Sequence, residues 1–122
     1  MTTRHVLVVE DDPSIREMVA LALEDAGYGV SAAADGESAI ALISKDRPDL
    51  LLVDLRMPLM DGFEFMRRYV GGGGRSPIIV LSAARDVDFA RHQLTAAAVI
   101  EKPFDLNELI ATVERIAGPA TA

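Results

Sequence analysis

Five short apolar runs, each followed by a stretch with helical periodicity, constrain the fold of this chain more than any other feature of its sequence. The runs predict strands over residues 5–9, 28–33, 50–53, 78–81 and 97–100. Strict alternation of strand and helix predicts an α/β fold, a single parallel sheet with helices on both faces. Five such units within 122 residues favour one domain and the strand order 2-1-3-4-5.

Particular residues mark where the predicted helices begin and end. Asp12 and Pro13 suit the N-cap and the first position of the first helix, and Asp105 suits the cap of the last. Residues 71–74 are consecutive glycines, which predict a flexible connector between the third helix and the strand that follows. The fourth helix is expected over residues 86–94.

Composition excludes several classes of protein. Nineteen acidic residues against twelve lysines and arginines give a net charge of −7, which argues against nucleic-acid binding because phosphate backbones select basic patches. The absence of cysteine excludes disulfides, thiolate metal sites and a cysteine nucleophile. The sequence has neither an apolar stretch of membrane-spanning length nor a secretory leader, so we expect a cytoplasmic protein without membrane contact.

Polar residues follow the predicted strands at one edge of the sheet. In the order 2-1-3-4-5, strands 1 and 3 are neighbours at the topological switch point, where such sheets bind ligands. The polar residues at this edge are Glu10, Asp11, Asp12, Asp54, Ser82 and Lys102. Clustered carboxylates repel one another unless a cation lies among them, and an oxygen-ligand site without histidine or cysteine suits Mg²⁺.

The hydroxyl and the ammonium extend the same chemistry. Ser82 can hydrogen-bond a phosphoryl oxygen and Lys102 can neutralise its charge, which together with a carboxylate nucleophile describes phosphoryl transfer onto aspartate. A plainer interpretation is that residues 10–12 only favour a helix N-terminus. That interpretation does not explain Asp54, which ends an apolar strand and begins a loop.

Four motifs, in order and at matching spacings, resemble those of a known family. They are Val8-Val9-Glu10-Asp11-Asp12-Pro13-Ser14-Ile15-Arg16, Asp54-Leu55-Arg56-Met57-Pro58-Leu59-Met60-Asp61-Gly62, Val80-Leu81-Ser82-Ala83 and Lys102-Pro103-Phe104. Through them the chain resembles a response-regulator receiver domain of two-component signalling over essentially its whole length. The resemblance implies a chemotaxis-type receiver with a flavodoxin-like fold, and a phosphorylation switch rather than a turnover enzyme.

The resemblance also implies a role for each acidic residue of the site. Asp54 is then the phosphoacceptor and a metal ligand, and it receives its phosphoryl group from the phosphohistidine of a histidine kinase or a histidine phosphotransfer protein. Asp11 contacts Mg²⁺ directly, Glu10 does so through water, and the backbone carbonyl of Arg56 completes the protein ligands. Asp12 lies one position past the acidic pair, and its capping preference favours a role at the helix start.

Two further roles follow from the resemblance. Ser82 takes the hydroxyl position that reorients on phosphorylation. Lys102 takes the position of the phosphate-binding ammonium, with a cis peptide bond to Pro103.

Val99 departs from the family pattern three residues before Lys102, where receivers carry Tyr or Phe. The segment between Ser82 and Lys102 is also shorter than in the family, which predicts an atypical fourth helix. A stiff β-branched side chain cannot make the inward swing of an aromatic ring. We therefore expect an output face that switches without aromatic rotation, through a change in the order of the fourth helix. The alternative that stays open is that Val99 is simply a strand residue and another face signals.

Residues 1–117 are predicted to form the receiver domain, and residues 118–122 a tail or the start of a linker. The chain is then either a stand-alone regulator or part of a longer one, and it switches a surface for a downstream effector protein. Two other classes stay open: a receiver-like docking module that acts without phosphorylation, and an aspartyl-phosphate phosphatase of the haloacid-dehalogenase type. The first is disfavoured because every polar residue of the site is present. The second needs an Asp-x-Asp motif, and this chain has Glu10 at the nucleophile position.

Overall fold

Five parallel strands form one sheet in the computed structural model, which describes residues 3–57, 60–93 and 96–121. The strands are β1 (His5–Val9), β2 (Gly29–Ala33), β3 (Leu50–Asp54), β4 (Ile78–Ala83) and β5 (Ala98–Lys102). Their order is β2-β1-β3-β4-β5 and every pairing is parallel, as predicted from the alternation of strand and helix. The carboxyl ends of β1 and β3 therefore lie side by side.

Helices connect the strands, and most of them have an aspartate as the N-cap residue. They are α1 (Pro13–Asp25), α2 (Gly36–Lys45), α3 (Gly62–Gly71), α4 (Val87–Gln93) and α5 (Leu106–Ala117). The side chains that accept a backbone N–H of the first turn are Asp12, Asp35, Asp61 and Asp105. Such an oxygen satisfies one of the amides that a helix start leaves without a partner. The predicted capping roles of Asp12 and Asp105 are confirmed.

Apolar side chains cover both faces of the sheet. All five residues of β3 are buried, and its successive side chains alternate between two cores. Leu51 packs in the core beneath α2, α3 and α4, which includes Phe65, whereas Leu52 packs in the core beneath α1 and α5, which includes Leu109. The first four residues of β3 are apolar, and Asp54, its last residue, is the one acidic residue in that position among the described strands.

Three strands extend beyond their predicted ends, and β3 does so by one residue, Asp54. β4 continues through Ala83 and β5 through Lys102, because the parallel pairing between them runs on to those residues. Ser82 and Lys102 thus lie within the ladder rather than after it. α3 includes Gly71, which the sequence places in the connector, and β2 begins at Gly29, one residue later than predicted.

The helices are short, and α4 is the shortest. Seven of its residues are described, and they follow a 3-10 turn at Ala84–Asp86, so over the described residues the fourth helix is short, in line with the atypical helix expected from the shortened segment. Its predicted end at residue 94 lies outside the described residues. The longest helix, α1, has thirteen residues, and no helix in the described part of the chain is long and apolar enough to cross a membrane.

The residues after α5 lie against the start of β1. The helix ends at Ala117, and Gly118 after it has a φ of 87°, a conformation that favours glycine. The backbone N–H of Arg4 donates to the Ala120 carbonyl at 2.7 Å, and the buried Tyr28 hydroxyl donates to the Gly118 carbonyl at 2.7 Å. The domain boundary at residue 117 stays a prediction, and the segment that follows it is packed on the domain.

Candidate functional site

Three carboxylates lie together where β1 and β3 end. Glu10 and Asp11 directly follow β1, and Asp54 is the last residue of β3. One carboxylate oxygen from each residue lies within 4.8 Å of the other two. Glu10 is fully buried and Asp54 is 4% exposed, whereas Asp11 is more open to solvent. The structure thus brings together three of the four acidic residues that the strand order places at this edge.

A close approach of α3 to the end of β3 fixes the backbone beside Asp54. A Cβ atom at Gly62 would lie 2.5 Å from the Asp54 carbonyl oxygen and 2.7 Å from Leu55 Cα, so only glycine fits there. The Gly62 N–H donates to the Leu55 carbonyl at 2.9 Å, and the Leu55 N–H donates to the Leu81 carbonyl at 3.2 Å. The backbone of the residue after Asp54 is therefore held from both sides.

Lys102 places an ammonium between two of the carboxylates. Its Nζ lies 2.8 Å from Glu10 Oε1 and 3.2 Å from Asp54 Oδ1. Its side chain is only 24% exposed, and the peptide bond to Pro103 is cis, as the resemblance implies. A partly buried ammonium held by two carboxylates is a fixed charge rather than a solvated surface lysine.

The surroundings of Glu10 favour its neutral form. Burial, followed by the neighbouring Asp54 carboxylate, raises the pKa of Glu10 to about 8, although Lys102 acts in the opposite direction. Burial lowers the pKa of Lys102, but its hydrogen bond to Glu10 and the charge of Asp54 more than offset this, and that pKa lies above its ordinary value. The cluster without a further cation therefore retains a proton near neutral pH.

These residues fit a hard divalent cation. Within the described ranges, Glu10 Oε2 is the buried side-chain oxygen without a hydrogen-bond partner. A buried oxygen in that condition costs stability unless another group or an ion engages it. Carboxylate oxygens, with no histidine or cysteine among them, are the donor set that Mg²⁺ selects.

Ser82 is buried at the end of β4, the strand next to β3. The register pairs Asp54 with Leu81, which places Ser82 one residue beyond the phosphoacceptor candidate on the adjacent strand. Its hydroxyl donates to the Ala83 carbonyl at 3.0 Å. The contact of Ser82 with a phosphoryl oxygen stays a prediction, and it requires this hydroxyl to turn.

Arg56 connects the site to Asp86, which lies in none of the four sequence motifs. Its backbone N–H donates to Asp54 Oδ1 at 3.3 Å, and its guanidinium donates to both carboxylate oxygens of Asp86 at 2.8 and 3.0 Å. The hydrogen bond from Arg56 holds the pKa of Asp86 below its ordinary value. The one sequence signal for Asp86 is an acid soon after β4, and an acid before a helix is also typical of a cap.

Other candidates lie apart from the cluster. Asp12 caps α1 and accepts from the Ser14 and Ile15 amides at 2.8 and 3.1 Å. A cavity of about 1050 Å³ lies at the opposite edge of the sheet, and Gly72, Gly73 and Gly74 are among its lining residues. None of its lining residues belongs to the acidic cluster, in agreement with the connector role predicted for the glycines.

Comparison with known sequences points to one family. The family model described as "Response regulator receiver domain" matches residues 6–114. The protein named Response regulator MprA from Mycobacterium tuberculosis is 41% identical over 114 residues, which cover 92% of this chain and 50% of that protein. The Mycobacterium leprae protein of the same name is 38% identical over the same shares. The chain spans about half the length of these curated relatives.

Solved structures share the fold. Chemotaxis protein CheY4 of Vibrio cholerae matches with a TM-score of 0.83 and 35% identity, over 94% of this chain and 99% of that one. The receiver domain of sensor histidine kinase PA1611 from Pseudomonas aeruginosa matches with a TM-score of 0.85 and 30% identity, over 96% of this chain and 99% of that one. That structure has a magnesium ion coordinated in its active-site cleft. The flavodoxin-like fold is confirmed.

Proposed function

The chain belongs to the response-regulator receiver family, and from that premise we propose that it takes a phosphoryl group on Asp54 and thereby switches a protein-binding surface. Receiver domains of response regulators are phosphorylation switches, not classical enzymes, and they interact with kinases and effectors. The observation that carries the proposal is the position of Lys102 Nζ between Glu10 and Asp54. From there an ammonium can bind an oxygen of a phosphoryl group on Asp54.

The proposed transfer forms one bond and breaks one. An Asp54 carboxylate oxygen attacks the phosphorus of a kinase phosphohistidine, and the P–N bond breaks with its electron pair leaving on the imidazole nitrogen. Charge then spreads over the three equatorial oxygens of the phosphoryl group. The Lys102 ammonium stabilises part of this charge. The Ser82 hydroxyl stabilises another part when it turns from the Ala83 carbonyl to a phosphoryl oxygen.

Mg²⁺ is the proposed cofactor, and it supplies further charge neutralisation when bound. The residues proposed to hold it are Asp11 and Asp54 directly, Glu10 through water, and Arg56 by its backbone carbonyl. The same cluster serves slow self-catalysed dephosphorylation, in which water attacks phosphorus and the Asp54 carboxylate leaves.

Two other functions fit the site less well. A docking module that acts without phosphorylation has no use for three carboxylates and an ammonium gathered where β1 and β3 end, with Glu10 fully buried, because burying ionisable groups costs stability. An aspartyl-phosphate phosphatase needs aspartate at the nucleophile position after β1. That position holds Glu10, whose pKa is raised to about 8 by burial and then by Asp54, a poor condition for a nucleophile.

Intact mass spectrometry tests the assignment of Asp54. Incubation with a small phosphodonor such as acetyl phosphate and Mg²⁺ should add one phosphoryl group to the wild type and none to Asp54→Ala. The added group should be labile to base, as an acyl phosphate is. Asp12→Asn is the matched control, because asparagine keeps the helix cap while one neighbouring carboxylate is lost. Equal modification of wild type and Asp54→Ala would assign the phosphoryl group to another residue.

Partners and location belong to the same proposal. A sensor histidine kinase or histidine phosphotransfer protein is the proposed phosphodonor, and a downstream effector protein is the proposed reader of the switched surface. The predictions of no nucleic-acid contact and of a cytoplasmic location apply to this chain only, since its curated relatives are about twice as long. The prediction of no nucleic-acid contact is tested by measuring binding of the chain to duplex DNA at two salt concentrations, because the DNA phosphates select basic patches.

A further inference from the structure

Asp86 and Arg56 form a bidentate ion pair beside the acidic cluster. The two residues are 30 positions apart, one in the loop after β3 and the other in the 3-10 turn after β4. The guanidinium Nη2 lies 2.8 Å from Asp86 Oδ1, and Nε lies 3.0 Å from Oδ2. The Asp86 side chain is only 11% exposed, so the packing around it fixes the carboxylate that the Arg56 guanidinium binds. Two parallel N–H to oxygen bonds restrict orientation as well as distance.

The ion pair restrains a backbone that the proposed site depends on. The N–H of Arg56 donates to Asp54 Oδ1, and the carbonyl of Arg56 is the proposed backbone ligand of Mg²⁺. Leu55, just before it, is fixed by its hydrogen bonds to Leu81 and Gly62, as described above. At Arg56 itself, the side-chain pair with Asp86 adds a second restraint to the backbone hydrogen bond with Asp54.

We infer that Asp86 is a positioning residue for the metal site, acting through the Arg56 side chain on the Arg56 backbone. This inference rests on the proposed function, because the cation is part of that proposal. It adds a residue outside the acidic cluster that sets the affinity for Mg²⁺ without contacting the ion. It also connects the start of α4 to the site, so occupancy of the site and the order of α4 are linked.

Arg85 is the other cation near Asp86, and it is a weak alternative partner. Its Nε lies 3.7 Å from Asp86 Oδ2, and its side chain is 74% exposed. A single long contact from an exposed arginine does little to fix the orientation of the Asp86 carboxylate. Arg85→Gln should therefore leave Mg²⁺ affinity unchanged, whereas Arg56→Gln should not.

Calorimetric titration of Mg²⁺ into the intact chain tests the inference. Asp86→Asn keeps the shape of the side chain and removes its charge, and it should weaken Mg²⁺ binding by about tenfold, the lower end for residues that orient a metal ligand. Asp88→Asn removes the same charge from the exposed side of α4 and should change little. Asp86→Glu, which retains a carboxylate, should recover part of the affinity.

A double-mutant cycle distinguishes positioning from a general loss of stability. Arg56→Gln keeps the backbone carbonyl, so it should match Asp86→Asn, and the double variant should bind Mg²⁺ no more weakly than either single variant. Additive losses, or an Mg²⁺ affinity of Asp86→Asn equal to that of Asp88→Asn, would overturn the inference. If Asp86→Asn fails to fold, Arg56→Gln against Arg85→Gln decides the same question at more exposed positions.

Failure of the proposed function gives a different result from failure of the positioning role of Asp86. In that case the wild type itself binds no Mg²⁺ or takes no phosphoryl group on Asp54. If the wild type does both and the Asp86→Asn variant binds Mg²⁺ as tightly as the wild type, only the positioning role of Asp86 is wrong.

Discussion

Glu10 is the residue whose chemistry departs most from its ordinary state. It is fully buried, its Oε1 pairs with Lys102, and its pKa is raised to about 8, mainly by burial and then by Asp54. The sequence predicts its place in the site because it follows the first strand of a parallel sheet. Its protonation could not be predicted from sequence, because that depends on the burial and on the distance to Asp54 that only the fold provides.

The stability of the protein should fall as pH rises from about 4.5 to about 8 in the absence of divalent cations. In this window the unfolded chain has lost the Glu10 proton and the folded chain keeps it, so the folded state binds more protons and loses stability with rising pH. Lys102 stays charged throughout, because its pKa lies above its ordinary value once Glu10 and Asp54 outweigh its burial. Urea unfolding with EDTA, near pH 6 and near pH 8, measures the slope.

Glu10→Gln should flatten this slope, and Glu17→Gln, at an exposed position on α1, should not. Added Mg²⁺ should stabilise the wild type more at the higher pH, because the cation binds the ionised carboxyl. A slope that is the same in wild type and Glu10→Gln would mean that another group carries the pH dependence.

At the scale of elements, the sequence was most informative where local signals and topology agree. Apolar runs and aspartate caps predict the strands and helix starts, because both signals act over a few residues. The ends of β3, β4 and β5 lie beyond their predicted positions, because their last pairs, such as Ser82 with Glu101, depend on the neighbouring strand. The ion pair of Arg56 with Asp86 could not be predicted for the same reason: its members are distant in sequence.

The short α4 is the element expected to respond to phosphorylation. Val99 is partly buried against the core and too small to act as a rotating aromatic switch. Contacts that connect the α4 region to the site side of the molecule include Asp86 with Arg56, and Phe89 with Phe63, whose rings meet edge to face at 5.2 Å. We expect amide exchange over residues 84–93 to change when beryllofluoride, a phosphoryl mimic, and Mg²⁺ are added.

The matched control is Asp54→Ala under the same conditions, where the exchange of α4 should stay the same. Asp86→Asn in the chain that retains Asp54 should reduce the response, because it removes the connection through Arg56. A change confined to another face, with α4 unaffected, would show that the switch uses a different surface and that Val99 is only a strand residue.

At the scale of the whole molecule, the segment after α5 packs against residues at the start of β1 and before β2. The Arg4 N–H donates to Ala120, and Arg4 Nε donates to the Ala117 carbonyl at 2.6 Å. The buried Tyr28 adds a hydrogen bond to Gly118, and Thr3 and Thr121 form an antiparallel bridge. Residues 118–121 therefore contribute to the packing of the domain that the sequence assigns to residues 1–117.

Removal of residues 118–122 should lower the free energy of unfolding by about 1–3 kcal/mol, because two or three hydrogen bonds of about 1 kcal/mol each are lost. Tyr28→Phe removes one of these bonds from the full chain and should cost about 1 kcal/mol. In the shortened chain the Gly118 carbonyl is absent, so the same substitution should cost far less there. Urea unfolding of the four proteins measures this coupling. An unchanged free energy of unfolding after truncation would place the boundary of the stable domain at residue 117, as the sequence alone predicts.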